Sequence, residues 1–275
     1  MSAPRNYTTV LTIAGSDGSG GAGIQADLKT IAAHGCYGLS VITAVTAQST
    51  MGVADVHPIP PAFIARQFET IVSDIRIDAV KIGMLGPAEN AEMVAKLIAG
   101  LDGVPVVLDT VLRSSSGAPL FSEDDTAAMK ELFPLVSLIT PNLPEAAALT
   151  SRKSIPGDRT EIERIARELQ EKGARSVLVK GGHWEGEICH DCLLHNGEFH
   201  WFSNPKIATT NTHGTGCTLS SAIASGLASM QEMPKAVKRG IEYTRRALQA
   251  GADWKLGHGT GPLHHIPSQA ENTID

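Results

Sequence analysis

Apolar runs rich in Val, Ile and Leu alternate along this chain with longer amphipathic stretches, and that alternation does most to narrow the folds open to it. Residues 10–14, 39–45, 79–82, 104–108, 136–139 and 176–180 have the composition of buried strands. Between them, 24–34, 60–73, 88–99, 123–133, 144–149 and 161–172 have helical spacing, the last with its charges gathered on one face. A repeated β-α-β-α order calls for an α/β fold: a mainly parallel central sheet with helices on both faces.

The rhythm changes after Lys180. Residues 188–209 are expected as short strands around a hairpin turn at Asn196-Gly197, an antiparallel addition to the sheet. Two closing helices follow at 215–230 and 235–251, the first dense in small residues (Ser220, Ser221, Ala222, Ala224, Ser225) that favour close packing. The 275 residues contain no repeat, low-complexity tract or linker, so a single domain over 1–275 is expected.

A formal net charge of -6 argues against a general nucleic-acid binder. The first residues lack the apolar core of a signal peptide, and no apolar run reaches the roughly 20 residues of a membrane span. A cytoplasmic protein with no membrane partner is therefore expected. The four cysteines are Cys36, Cys189, Cys192 and Cys217. Cys189 and Cys192 form a lone CxxC inside the expected hairpin, without the second pair that a zinc site needs, so a structural role is favoured over metal or redox use.

In an open parallel sheet, ligands sit beyond the carboxyl ends of the strands. The segment Gly15-Ser16-Asp17-Gly18-Ser19-Gly20-Gly21-Ala22-Gly23 follows the first strand and opens a helix. Gly18, Gly20 and Gly23 satisfy GxGxxG, but the ribose-binding acid of a dinucleotide site is missing at the end of the second strand, where Ile42, Thr43, Ala44 and Val45 stand. No GxxxxGK[ST] occurs either, which excludes a P-loop. Five glycines in nine residues still allow a close approach of backbone to ligand. Asp27, one turn into the helix, fits two readings equally: a carboxylate facing that ligand, or a first-turn acid favoured by the helix dipole.

A second glycine turn, Asn211-Thr212-His213-Gly214-Thr215-Gly216-Cys217-Thr218, also precedes a helix. Gly214 and Gly216 leave the amides of Thr215, Gly216 and Cys217 open as an anion site at the positive end of the helix dipole. Preorganised donors of this kind stabilise a transferring phosphoryl group. A thiol at a helix start is expected to have its pKa lowered from about 8.5, which makes Cys217 a candidate proton acceptor. A buried structural cysteine is the other reading. Two remote strand–loop–helix glycine turns favour a two-ligand enzyme.

On these motifs the chain resembles the ribokinase-like superfamily, and within it the hydroxymethylpyrimidine/phosphomethylpyrimidine kinases of thiamin biosynthesis. The resemblance runs through 12–27, Thr46-Ala47-Gln48-Ser49-Thr50, Lys81-Ile82-Gly83-Met84-Leu85, Thr140-Pro141-Asn142-Leu143-Pro144-Glu145-Ala146, Val179-Lys180-Gly181-Gly182-His183 and the second glycine turn. It implies a ribokinase-like three-layer sandwich on which a pyrimidine and ATP meet. It implies Gly15, Asp27, Gln48, Met84 and Val111 around the pyrimidine. Lys180, Asn142, Glu145, Asp109 and Thr212 are implied on the ATP side, with Glu145 linked indirectly to Mg2+. Gly214, Thr215 and Gly216 would form the anion hole, and Cys217, or a water near it, would take the proton, at a position where the wider superfamily has an aspartate. The implied reaction phosphorylates the hydroxymethyl group and then the resulting monophosphate, and the implied assembly is a homodimer. Taken singly, Gln48 also reads as a strand-end cap, Glu145 as a first-turn helix acid, Lys180 as a strand-end lysine and Asp109 as a turn acid.

Thr110, Ser49 and Thr260 depart from the family pattern, where proline, asparagine and proline are usual. The first two are expected near the substrate. A pyridoxal or pyridoxine kinase is the second reading, since pyridoxine also carries a hydroxymethyl group on a nitrogen ring. A metabolite-binding regulator is the third, opposed by the joint presence of Asn142, Glu145, Lys180 and Cys217. Segments 113–117 and 183–186 are rich enough in glycine or serine to move, and the sequence does not decide whether they close over the site.

Overall fold

The computed structural model describes residues 6–112, 123–182, 184 and 186–266. The strands are β1 (Thr9–Asp17), β2 (Tyr37–Ser49), β3 (Gly52–Pro58), β4 (Ala79–Ile82), β5 (Val106–Leu108), β6 (Leu138–Ile139), β7 (Val177–Val179), β8 (Ile188–His195) and β9 (Glu198–Pro205). The helices are α1 (Gly23–Ala33), α2 (Pro61–Val72), α3 (Ala88–Ile98), α4 (Glu123–Lys130), α5 (Leu143–Leu149), α6 (Arg159–Glu171), α7 (Thr215–Ala228) and α8 (Met233–Gly251). All nine strands join one sheet in the order β3-β2-β1-β4-β5-β6-β7-β8-β9. From β2 to β7 every neighbour is parallel, while β3, β8 and β9 are antiparallel.

Side-chain alternation along the inner strands divides the core into two layers. Leu11, Ile13, Val80, Ile82, Val106, Leu108, Val177 and Val179 pack on one face with Ile64, Val94 and Ile165 from α2, α3 and α6. Val10, Ala79, Val107 and Leu178 pack on the other with Ile31, Ile223 and Val237 from α1, α7 and α8. Burial on both faces explains why these strands read as mostly apolar runs, and it yields the expected three-layer sandwich. In α6 the buried residues Ile162, Ile165, Ala166 and Leu169 form a single stripe, and Asp158 caps its start by accepting from the Glu161 amide at 2.8 Å.

The expected β8–β9 hairpin is present, and Asn196 and Gly197 turn it with φ of 50° and 80°. Cys189 and Cys192, three residues apart in β8, fall on opposite faces of the sheet. The strand β3 is an addition to the sequence reading. It pairs with the far half of β2, so β2 runs beyond the apolar segment 39–45 to Ser49. From Val45 to Pro58 no residue of this ribbon is fully buried, so it carries no burial signal. Among the described residues no helix is long and apolar enough to cross a membrane. Segment 113–117 lies outside the described residues, as do His183 and Glu185 of 183–186.

Chain order reverses at β1, which has β2 on one side and β4 on the other. The crevice beyond such a reversal is where an open α/β sheet admits ligands.

Candidate active site

A cavity of about 760 Å³ opens beyond the carboxyl ends of the strands. Gly15 and Asp17 reach it from β1, Gln48 from β2, Met84 from the turn after β4, Asp109 and Val111 from the turn after β5, Asn142 and Glu145 from the start of α5, and Lys180 from the end of β7. Thr212, His213, Gly214, Thr215, Gly216 and Cys217 close it from the start of α7.

The two glycine turns are in direct contact. Gly214 has φ of 87°, and a Cβ there would overlap the Gly21 carbonyl oxygen. A Cβ on Gly21 would in turn overlap the His213 ring, and one on Gly23 (φ of 56°) would overlap the Gly15 carbonyl. These glycines are needed for one backbone to lie on another. Asp17 fastens the contact. Its carboxylate lies 2.8 Å from His213 Nε2 and accepts from the Ala22 and Ser19 amides, each at 2.8 Å. Burial opposes ionisation of Asp17, but the bonds with His213, Ser19 and Ala22 hold its pKa well below the usual carboxylate range. Gln48 lines the cavity beside this contact. Its Nε2 is 3.3 Å from His213 Nε2 and its Oε1 accepts from Thr46 Oγ1 at 3.1 Å.

At the start of α7 fewer amides are open than expected. The Thr215 amide already donates to the Thr212 carbonyl at 3.2 Å, and the Thr218 amide to Gly214 at 2.9 Å. Among the described residues no acceptor meets the amides of Gly216 and Cys217, which leaves two donors rather than three. Gly216 stands over an ion pair: a Cβ there would lie 3.1 Å from Asp109 Oδ2 and 3.3 Å from Lys180 Nζ.

Lys180 Nζ donates to Asp109 Oδ1 at 2.8 Å, and Thr140 Oγ1 donates to the same oxygen at 3.0 Å. Burial favours the neutral form of each group, yet their mutual attraction lowers the Asp109 pKa and raises that of Lys180. Asn142 and Glu145 form a capping box on α5: the Glu145 amide donates to Asn142 Oδ1 at 2.9 Å and the Asn142 amide to Glu145 Oε2 at 2.8 Å. Burial pushes the Glu145 carboxyl up to about 7, with Lys180 opposing and the Asp109 charge adding to the rise. Asp109 and Glu145 both line the cavity, and carboxylate oxygens of this kind would suit a hard divalent cation such as magnesium.

Three expectations are corrected. Asp27 does not line the cavity. Its carboxylate is fully buried, held by Lys81 Nζ at 2.8 and 2.9 Å, Thr12 Oγ1 at 2.6 Å and Ser221 Oγ at 2.8 Å, so every oxygen faces protein. The Cys217 thiol is not lowered by the helix start. Burial pushes it up to about 11, with Asp27 and Asp109 adding to the rise and Lys81 and the Gly23 amide opposing. Thr110 is fully buried against Glu145, and Ser49 faces solvent beyond the Gln48 position, so neither departure from the family pattern lines the cavity. The sequence reading gave no role to Asp17, His213 or Lys81. A lysine inside the buried run Ala79-Val80-Lys81-Ile82 is itself a signal, because a buried ammonium needs a partner.

Parallel strands that deliver a lysine, two carboxylates and a glycine-built helix start to one crevice place the chain in the ribokinase-like class of small-molecule kinases. The Bacillus subtilis pyridoxal kinase in its ADP complex superposes with a TM-score of 0.87 at 32% identity, over 95% of this chain and 98% of that one. The phosphomethylpyrimidine kinase family model matches residues 17–264, and the chain belongs to that family. The hydroxymethylpyrimidine/phosphomethylpyrimidine kinase of Escherichia coli is 47% identical over 259 residues, covering 93% of this chain and 96% of that protein. The thiamine biosynthesis bifunctional protein ThiED of Geobacter sulfurreducens is 45% identical over 265 residues, which are 96% of this chain. The chain spans about half the length of that bifunctional protein, 53%.

Proposed function

We propose that this chain uses ATP to phosphorylate the hydroxymethyl group of 4-amino-5-hydroxymethyl-2-methylpyrimidine, and then the monophosphate, in the thiamin pathway. The observation that carries this reading is the family match together with near-full-length identity to the Escherichia coli enzyme. The likeness to pyridoxal kinases is one of structure, at lower identity, and pyridoxal becomes the competing substrate to test.

The cavity supports a division of labour. Gln48 offers both a donor and an acceptor to the polar edge of an aminopyrimidine, and Met84 and Val111 supply apolar walls beside Gly15. Lys180, poised on Asp109, faces the ATP phosphates, with Thr212 on the same side. Magnesium, held through Glu145 and Asn142 directly or by way of water, would neutralise phosphate charge. The amides of Gly216 and Cys217 receive the transferring phosphoryl oxygens. The substrate oxygen attacks the γ-phosphorus in line, its proton passes to Cys217 as thiolate, and ADP leaves. The whole chain would act as a single kinase domain, paired as a homodimer in the cytoplasm.

ADP release from purified protein and Mg-ATP tests the substrate assignment, with the pyrimidine, its monophosphate, pyridoxal and pyridoxine compared side by side. Turnover on the two pyrimidines is expected. A preference for pyridoxal would move the assignment to the competing substrate.

A further inference from the structure

In β4, Lys81 has the same parity as Ala79, so it points to the face covered by α1 and α7. There it is paired with Asp27 from α1, and both side chains have 0% exposure. Thr12 from β1 and Ser221 from α7 supply the other donors to the carboxylate. Ser221 lies one turn beyond Cys217, so the face of α7 that bears the thiol rests on this pair. Lys81 lines the cavity floor together with Cys217. A Cβ on Gly83 would lie 2.8 Å from Lys81 Nζ, so the ammonium passes close under the Gly83 backbone. Well-packed apolar residues would often hold such a position at least as stably as an ion pair, and the pair sits beneath the reacting groups.

Cys217 shares the cavity with Lys81 from β4, Asp109 after β5, Glu145 from α5 and Lys180 after β7, and Asp27 from α1 is paired with Lys81. Asp27 and Asp109 disfavour a thiolate. Lys81 favours it most, with help from the Gly23 amide.

We propose that Lys81 is a positioning residue for phosphoryl transfer: its ammonium, fixed by Asp27, is the counter-charge that lets Cys217 exist as the thiolate that takes the substrate proton. This rests on the reading of Cys217 as the proton acceptor. Lys81 keeps its own proton throughout. The hydroxymethyl proton moves to sulfur as the oxygen–phosphorus bond forms and the bond to ADP breaks, and the thiol later returns that proton to water.

The test is the pH dependence of iodoacetamide alkylation at Cys217 in the substrate-free protein, read on the Cys217 peptide by mass spectrometry so that the other cysteines do not contribute. Lys81→Met is expected to slow alkylation by about tenfold or more at every pH below the parent midpoint, the mark of a midpoint moved up. Asp27→Asn is expected to move it down, because the thiolate becomes the nearest anion to Lys81. A merely structural pair would not shift the two variants in opposite directions. If Lys81→Met fails to fold, the direction of the Asp27→Asn shift decides. An unchanged midpoint in a folded variant overturns the proposal. A shifted midpoint with full activity in Cys217→Ala leaves the Lys81–Cys217 coupling standing and removes Cys217 as the base, so the two failures are distinguishable.

Discussion

His213 Nε2 lies 2.8 Å from Asp17 Oδ2, joining the two glycine turns across 196 residues of sequence. Asp17 is 3% exposed and His213 6%, so solvent does not compete strongly for the bond. The two glycine turns thereby share one wall of the cavity.

Asp17→Ala is expected to cost about 2–4 kcal/mol, because it removes a buried acceptor from His213 Nε2 and from the Ser19 and Ala22 amides. The folded-state pKa of Asp17 is depressed below its ordinary value of 3.8. Its contribution is therefore complete above that value and lost as pH falls through the folded one. Urea unfolding at a series of acidic pH values should show a shallower loss of stability in Asp17→Asn than in the parent protein.

Gly214→Ala places a Cβ on the Gly21 carbonyl oxygen and forces alanine to a φ of 87°. Relief of that overlap has to separate the two glycine turns and turn the Gly216 and Cys217 amides away from the cavity. A fall in kcat of about 100-fold or more is expected, consistent with the loss of an oxyanion donor. Circular dichroism should show the fold retained.

Gln48→Ala removes the amide beside His213 and leaves the Lys180–Asp109 pair untouched. The KM for the pyrimidine should rise by about tenfold, the worth of roughly one hydrogen bond, with the KM for ATP unchanged. Steady-state kinetics with each substrate varied separately checks the split. Equal losses on both sides would make Gln48 structural.

Cys217, with its thiol pushed up to about 11, is mostly protonated at neutral pH. If the thiolate is the base, kcat should rise with pH through the neutral and mildly alkaline range, by up to about tenfold per unit. In Cys217→Ala both the rate and that slope should be lost, with substrate affinity little changed. A Cys217→Ala profile parallel to that of the parent protein would exclude the thiol as proton acceptor.

The parallel sheet was legible because β1 and β4 to β7 are buried on both faces and are therefore written as mostly apolar runs, interrupted at Thr12 and Lys81. The ribbon of β3 and the far half of β2 was not, since an exposed edge leaves its residues free of any burial pattern. The backbone parts of the site were readable from glycine spacing, because a helix start needs only local sequence. Asp27 and Cys217 show the limit of that reading. The partner that turns Asp27 inward, Lys81, lies 54 residues away, and the burial that raises the Cys217 thiol comes from elements distant in the chain. Nothing local announces either effect. Asp17 and His213 stood inside the recognised motifs without a role, since only the folded chain brings them together.

The most direct test of the proposed function is product identification. Purified protein is incubated with Mg-ATP and 4-amino-5-hydroxymethyl-2-methylpyrimidine, and the products are followed by liquid chromatography with mass spectrometry. The account predicts the monophosphate first and then the diphosphate, with matching ADP. The absence of any phosphorylated pyrimidine from active, folded protein would contradict it.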